Sequence, residues 1–351
     1  MSRSPYIAGL LLLAILVFCL IAGGFTARSE DHGPAPTGPA EHTFAAEGET
    51  YQIVAGKVYR AASDGKREYV DTIYEPGYRE KNYRVQEGAV FRVVDGKSYR
   101  MKKAFHEDFE GVTKLTELIG EQRGWTSFTL QSPRAPNVKD YVALKSRILK
   151  SGGAFLDNRV EPATARVHGG RGALKCVAVA KSNDMVCTKA SLDTEMLHFV
   201  RGDHVYYRAW YFIEGSARPF TLMDLESSWL KGYPGIRIRI DEAGHLDAEV
   251  KWLDKPVYRQ PEGKETAFPV QRWVRVDAHF TLSEKNDGVV ELWQDGKQIV
   301  SCKGRTLPLN DVIYNNLEVG ISAHAYGNET ATLYVDDVSI SEQPIPDPPR
   351  P

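Results

Sequence analysis

The sequence predicts an all-β protein whose main domain is a β-sandwich of the jelly-roll type. Short runs of alternating apolar and polar residues follow one another from Phe105 to Ser341, separated by turn residues. About a dozen such runs suit a double-sheet jelly roll, in which each strand buries one face. In Trp273–Phe280, for example, Val274 and Val276 alternate with Arg275 and Asp277. One segment, Val138–Leu149, reads instead as a short helix.

The strongest local signal is a hairpin that follows this strand. Val289–Trp293 ends at Asp295-Gly296, and a further apolar run, Gln298–Cys302, comes next. Asp-Gly between two apolar runs is a frequent two-residue hairpin turn. Antiparallel strands with one buried face leave the other face available for function.

The N-terminal sequence is typical of an export signal. Ile7–Gly24 is uncharged and apolar, and at 1.5 Å per residue a helix of this length spans about 27 Å, just enough to cross a bilayer core. We expect residues 1–27 to be either a cleaved signal peptide or a membrane anchor. We then expect the remainder to be extracytoplasmic. It is either secreted or periplasmic, or it is tethered to the membrane by this single segment.

Between the leader and the sandwich lie two further segments. Residues 28–43 are rich in Pro, Gly and Ala and read as a linker. In residues 44–103, Tyr51–Arg60 resembles Phe91–Arg100, which predicts a small module of two β-hairpins turning on Gly56-Lys57 and Gly96-Lys97. The sandwich is expected over residues 104–343, followed by a proline-rich tail at 344–351.

Two cysteines of the main domain lie close together in the sequence. Cys176 and Cys187 flank a turn-like segment and are expected either to form a disulfide across a hairpin or to be two separate buried thiols.

The 44 basic and 46 acidic residues nearly balance, so no broad basic surface indicates nucleic acid. Neither a glycine-rich phosphate loop nor zinc-ligand spacing is present. We expect a monomer.

Four segments of the main domain resemble a known superfamily. His106–Gly111, followed by Trp125, resembles the opening strand of concanavalin A-like jelly rolls, and Leu333–Ser341 resembles their closing strand. Gly202–Tyr211 and the segment from Trp273 to Gly296 resemble heparin-lyase-I-like polysaccharide lyases. The resemblance implies a carbohydrate-active protein. In relatives with matching ends, the first and last strands pair and often hold a structural calcium, and the corresponding oxygen ligands are Asp108, Glu110, Asp336 and Asp337.

Strand alternation suggests a groove for an acidic polysaccharide. Arg237 and Arg239 oppose the isoleucines of their strand, and a guanidinium fits a uronate carboxylate in a bidentate manner. β-Elimination needs that carboxylate neutralised, a base for the C5 proton and an acid for the leaving oxygen. We expect Arg237, Arg239, Tyr258 and His279 to be catalytic, with Lys251 assisting. The expected substrate-binding residues are Arg208, Trp210, Glu226, Trp229, Glu249, Arg259, Gln260, His324 and Tyr326.

Other functions remain open at this point. Asp224 and Glu226 are two apart on one strand, and paired carboxylates also catalyse glycoside hydrolysis. The same architecture serves non-catalytic glycan-binding modules, and an envelope scaffold or adhesion protein would use the sandwich only for packing.

Overall fold

The computed structural model describes residues 42–46, 49–62, 65–75, 78–251 and 255–347. The expected leader, nearly all of the linker and the last residues of the tail lie outside this part of the chain. Within it, no helix has the length and apolar character needed to cross a membrane.

Two small antiparallel sheets form the N-terminal part. The first contains β1 (His42–Ala46), β2 (Glu49–Val54), β3 (Lys57–Ala61) and β4 (Arg67–Thr72). A short helix, α1 (Tyr78–Asn82), leads to the second, which contains β5 (Tyr83–Gln86), β6 (Ala89–Val94) and β7 (Lys97–Arg100).

The two repeated hairpins turn one residue earlier than the sequence predicts. The turn residues are Ala55-Gly56 and Asp95-Gly96 rather than the Gly-Lys pairs. All four have positive φ angles, which is the geometry of the type I′ turns that best match strand twist.

The main domain is a sandwich of two antiparallel sheets. Its elements in chain order are β8 (Ala104–Glu107), α2 (Leu115–Leu118), β9 (Ser127–Gln131), α3 (Val138–Ser151), β10 (Arg159–Ala163), β11 (Ala173–Ala178), β12 (Thr188–Thr194), β13 (His204–Glu214), β14 (Thr221–Glu226), β15 (Gly235–Ile240), β16 (Leu246–Val250), β17 (Val257–Tyr258), β18 (Trp273–Thr281), β19 (Gly288–Gln294), β20 (Lys297–Gly304), β21 (Asn316–His324) and β22 (Ala331–Ser341).

The strands divide between a seven-stranded and an eight-stranded sheet. The order in the first is β17-β16-β15-β14-β21-β12-β9. The order in the second is β10-β11-β22-β13-β18-β19-β20, with β8 also pairing with β22. The first and last strands of the domain therefore pair, as the resemblance implied, and Glu107 faces Val338. The Asp295-Gly296 hairpin is present with positive φ at both residues, which confirms that prediction.

The core lies between the two sheets and is formed by the inward-facing half of each strand. Tyr207, Tyr211, Ile238 and Val319 are at most 1% exposed. The sheets approach so closely at Gly320 that a Cβ atom there would lie 2.7 Å from the Cys176 Sγ. Alternation along each strand consequently sends the intervening polar side chains to the outer faces.

The expected Cys176–Cys187 disulfide is wrong, because both cysteines are free thiols. β11 and β12 belong to different sheets and do not form a hairpin. Cys176 lies in the core, whereas Cys187 precedes a strand of the seven-stranded sheet.

Helix α3 packs beside β9 at the edge of the seven-stranded sheet, and it confirms the helix predicted from the sequence. The Asn137 side chain caps its N-terminus by accepting the Asp140 N–H, and Gly152 ends it in the left-handed conformation. Leu144 and Ile148 bury one side of the helix, and Lys145 Nζ donates to Ser127 Oγ at 2.7 Å.

Candidate functional site

The outer face of the seven-stranded sheet carries a continuous row of charged side chains. Cross-strand pairing places Asp193 opposite Glu318, Glu318 opposite Asp224, Asp224 opposite Arg237, and Arg237 opposite Glu249. Directly paired residues share a face and lie side by side. Five neighbouring strands thus build one charged surface, which we call the trough. It consists of Lys189, Asp193, Asp224, Glu226, Arg237, Arg239, Asp247, Glu249, Lys251 and Glu318.

Two arginines are fixed by carboxylates at one end of the trough. Arg239 makes a bidentate pair with Asp247, at 2.7 Å for both contacts, and a further bond to Glu249. Arg237 donates to the other oxygen of Glu249 through Nη2, while its buried Nε has no hydrogen-bond partner. Both guanidinium groups lie 5.1 Å from the centre of the Phe220 ring. Bidentate pairs of this kind order the guanidinium planes.

Two lysines pair with a group of three carboxylates in the middle of the trough. Carboxylate oxygens of Asp224, Glu226 and Glu318 lie within 4.8 Å of one another. Lys251 Nζ bonds to Glu226 and is 3.6 Å from Asp224, and Lys189 Nζ is 3.1 Å from Glu318. Cations of the protein itself therefore compensate part of the negative charge of the three carboxylates.

These lysines remain charged at neutral pH. Burial acts to lower the pKa of the Lys189 ammonium, but Glu318 and Glu226 outweigh it and hold that pKa well above its usual value. In the same way Asp224 and Glu226 oppose burial and raise the pKa of Lys251. Both residues are fixed cations and cannot accept a proton near neutral pH.

Lys255, beside the trough, has a lowered pKa, in contrast to the raised pKa values of Lys189 and Lys251. Burial lowers its pKa, and although Glu249 acts in the other direction, the positive charges of Arg237, Arg239 and Lys251 lower it further. A lysine with a lowered pKa is a typical general base.

Two tyrosines lie near Lys189 and Asp193, at one end of the trough. Tyr141 comes from α3, and Tyr233 comes from the loop between β14 and β15, where it has a φ of 47° and is 50% exposed. Burial raises the pKa of each phenol, and the charges of Lys189 and Asp193 act on both. Each phenol therefore carries its proton at neutral pH.

Several predicted residues are brought together by the fold. Arg237, Arg239, Lys251, Glu226 and Glu249 all lie in the trough. Tyr326 lies at its end, with its ring 5.0 Å from Phe220 in an edge-on arrangement.

The expectation that His279 joins this group is wrong, because β18 belongs to the eight-stranded sheet. His279 lies on that sheet's outer face, where its Nδ1 is 2.8 Å from Glu291 and its Nε2 is 2.9 Å from His204 Nδ1. Arg208 and Trp210, on the neighbouring β13, are on the same face and are also separated from the trough. Period-2 alternation assigns a side chain to a face of its strand but does not say to which sheet the strand belongs.

The cluster Tyr258-Arg259-Gln260 does not reach the trough either. Tyr258 pairs with Ala248, a core residue, and its hydroxyl donates to the Arg305 carbonyl at 2.6 Å. Gln260 is buried and uses its side-chain amide to bind backbone groups of Leu246 and Thr266. Arg259 is exposed. Tyr258 and Gln260 stabilise the edge of the sheet.

Trp229 and His324 are held by other parts of the protein. The Trp229 indole donates to the Tyr83 hydroxyl, and the Arg92 guanidinium lies 4.6 Å from its ring centre, so the N-terminal part covers it. His324 is buried, and its Nε2–H donates to the Glu329 carbonyl at 2.8 Å.

The carboxylates expected to bind calcium form hydrogen bonds with the backbone. Asp336 accepts the N–H groups of His168 and Gly169, and Glu110 accepts those of Arg171 and Gly172. Asp337 contacts His168 Nδ1 at 2.9 Å, and Asp108 accepts the Glu110 N–H. In the described part of the chain no three of these four carboxylates lie within 4.8 Å of one another. They do not fit one shared ion, and calcium binding stays a prediction.

Sequence reasoning missed Lys189, Asp193, Lys255, Tyr141 and Tyr233. Lys189 and Asp193 alternate with buried Ala190 and Leu192 in β12, a signal that the expected disulfide hairpin obscured. No local pattern could reveal the two tyrosines, because a helix and a loop bring them over the sheet.

The chain was compared with solved structures, with curated sequences and with protein-family models. The chain is similar to the structure of a cellulose-induced protein, Cip1 (18% identity over 68% of this chain and 97% of that chain, TM-score 0.44). It is also similar to an endo-β-1,4-glucuronan lyase from the fungus Trichoderma reesei (14% identity over 68% of this chain and 95% of that chain, TM-score 0.47). A third similar structure is that of alginate lyase Aly36B (10% identity over 69% of this chain and 97% of that chain, TM-score 0.39). No curated protein sequence matches the chain. A family model described as polysaccharide lyase matches residues 119–339, more than half of the sequence, and the chain therefore belongs to the polysaccharide lyase family.

Proposed function

We propose that this protein cleaves a uronate-containing polysaccharide by β-elimination, with the sugar chain bound in the trough. The observation that carries the proposal is the set of four cations, Lys189, Arg237, Arg239 and Lys251, on one face of one sheet. Removing the C5 proton of a uronate builds negative charge on its carboxylate, and fixed cations stabilise that charge.

Arg237 is the best placed residue to bind the substrate carboxylate. Its pair with Glu249 uses Nη2, and 14% of the side chain is exposed, so the guanidinium can turn another N–H toward a substrate without breaking that pair. The carboxylates of the trough then serve to hold the cations in place.

Proton transfer is assigned to Lys255 and to the two tyrosines. The lowered pKa of Lys255 supports its neutral amine as the base that takes the C5 proton. Tyr141 or Tyr233, both protonated at neutral pH, would donate a proton to the leaving oxygen as the C4–O bond breaks. The electron pair of the C5–H bond becomes the C4=C5 double bond of the product, so protons and electrons balance.

An ultraviolet assay tests this function. Incubation with polyglucuronate, alginate and polygalacturonate should produce unsaturated sugar ends with at least one polymer. Arg237→Lys, which keeps the charge but loses the guanidinium geometry, should abolish most of the signal while the melting temperature shows that the protein is folded. Absence of unsaturated ends with all three polymers would contradict the proposal.

Glycoside hydrolysis is the second candidate, favoured by one observation. Although burial acts to raise the pKa of both acids, Lys251 and Arg237 lower the pKa of Asp224, whereas that of Glu226 remains raised. Paired carboxylates with separated pKa values are typical of glycosidases. New reducing ends without unsaturation would identify this activity, and binding without any product would identify a glycan-binding module.

The finer expectations about fold and location are proposals as well. We propose a concanavalin A-like jelly roll for residues 104–343 and an extracytoplasmic location. The apolar segment Ile7–Gly24 supports the location.

A further inference from the structure

The outer face of the eight-stranded sheet, opposite the trough, contains a second site built around two arginines. Asp277 accepts a hydrogen bond from the Nε of Arg208 and from the Nε of Arg275, one on each carboxylate oxygen. The two guanidinium groups come from neighbouring strands and are at most 18% exposed. One carboxylate therefore orders two cations, which leaves the group with one net positive charge.

A second carboxylate already occupies the position between these guanidinium groups. The C-terminal tail crosses the sheet, and Asp347 Oδ1 lies 3.1 Å from Arg208 Nη2 and 3.1 Å from Arg275 Nη1. Arg208 Nη1 also donates to the Pro346 carbonyl at 2.6 Å. The Asp347 side chain is 74% exposed, so its contacts with the two arginines lie at the surface.

The surroundings of the arginine pair suit a sugar ring. With the tail in place, a pocket of about 250 Å³ remains, and the side chains of Tyr206 and Trp293 line it. Aromatic faces stack on sugar rings, and paired guanidinium groups bind a carboxylate through parallel N–H donors. A uronate offers both chemical features in one residue.

We propose that this pocket is a second binding site for a uronate residue of an acidic polysaccharide, and that Asp347 of the tail imitates the ligand carboxylate. The choice of a uronate over another carboxylate rests on the proposed function. The tail competes with the ligand as a tethered group, at an effective concentration in the millimolar range. The site binds a chain whose cleavage takes place on the opposite face of the sandwich.

Binding of a short glucuronate oligosaccharide to full-length variants tests the inference. Asp347→Asn removes the competing charge and should tighten binding about tenfold, because the tail loses its ionic contacts with both arginines. Adding Arg275→Ala to Asp347→Asn should return binding to the wild-type level or below. Arg272→Ala is the matched control, because Arg272 pairs with Asp295 outside the pocket. It should have no effect.

Three outcomes would overturn the inference. The first is binding that does not respond to Asp347→Asn. The second is a methyl-esterified oligosaccharide that binds as well as the acid, and the third is an oligo-aspartate peptide that binds as well as the sugar. Cleavage is measured separately. Loss of unsaturated products with retained, Arg275-dependent binding would refute the proposed function and leave the second site intact.

Discussion

The two outer faces of the sandwich carry similar residue types but differ in how those residues are held. In the trough, arginines and lysines are nearly buried and are paired with carboxylates of neighbouring strands, as in the Arg239–Asp247 pair. On the eight-stranded sheet, His279 stacks on Tyr206 at 4.4 Å and contacts His204, and the tail covers the arginines. The first arrangement fixes cations that a substrate carboxylate can share. In the second arrangement the protein's own tail already binds the arginines. The residue types on a face therefore do not by themselves show which face is catalytic.

The largest expected difference between the faces comes from removing one fixed guanidinium. Arg237→Lys should lower kcat/KM on the preferred uronate polymer by about 10²–10³-fold, because one donor to the developing anion is lost. His279→Ala, on the other face, should leave kcat/KM unchanged. Initial rates of ultraviolet absorbance check both variants, and equal losses would show that the catalytic face has been assigned wrongly.

Removal of the proposed base should be nearly as damaging. Lys255→Met should reduce kcat by about 10²-fold or more. Since the neutral amine is the active form and its pKa is lowered, the wild-type rate should rise with pH and level off below the pH at which an ordinary lysine titrates. The variant should lose this rise. A pH–rate profile that keeps the same rising limb in Lys255→Met would exclude Lys255 as the base.

Tyrosine variants compare the phenols near the trough with Tyr258, which lies on the core side of the same sheet. Tyr141→Phe removes a phenol above Lys189 and should lower kcat by about 10²-fold if it is the general acid. Should Tyr233 be the acid instead, Tyr233→Phe would show this loss. Tyr258→Phe removes a hydrogen bond to the Arg305 carbonyl and should cost only about 1 kcal/mol of unfolding free energy. Denaturant unfolding together with steady-state kinetics separates the two effects, and full activity in the double variant Tyr141→Phe/Tyr233→Phe would argue against both phenols.

The smallest expected effect concerns the stability of the trough. Burial and the adjacent Glu318 raise the pKa of Asp193 well above its usual value. A raised carboxyl pKa means that the folded state binds the proton more tightly, so this contribution to stability is present below pH 4 and is lost as pH rises through the folded pKa. At higher pH the free energy of unfolding of Asp193→Asn should therefore exceed that of the wild type by on the order of 1 kcal/mol. An identical pH dependence of unfolding free energy in both proteins would contradict this reading.

The sequence predicted the strands better than it predicted the site. Alternation identified β18 and β15, and the Asp295-Gly296 turn identified a hairpin, because side-chain period and turn geometry are local properties. Which strands become neighbours depends on long connections. His279 and Arg237 were therefore both correctly assigned to polar faces but were wrongly assigned to one groove.

The missed residues have a related cause. Tyr141 reaches the trough only because α3 packs beside β9, and Tyr233 only because its loop adopts a positive φ. Cys176 and Cys187 looked like partners because they are close in sequence, yet the chain crosses from one sheet to the other between them. These relations are set by tertiary packing, which no pattern within a single segment contains.

The chemical identity of the polymer ends produced by wild-type protein tests the central claim most directly. Digestion of a uronate polymer, followed by proton NMR of the products over time, should reveal C4=C5 unsaturated terminal sugars, and Arg237→Lys should form them about 10²–10³-fold more slowly than the wild type. Saturated ends, or unsaturated ends formed equally well by Arg237→Lys, would contradict elimination in the trough.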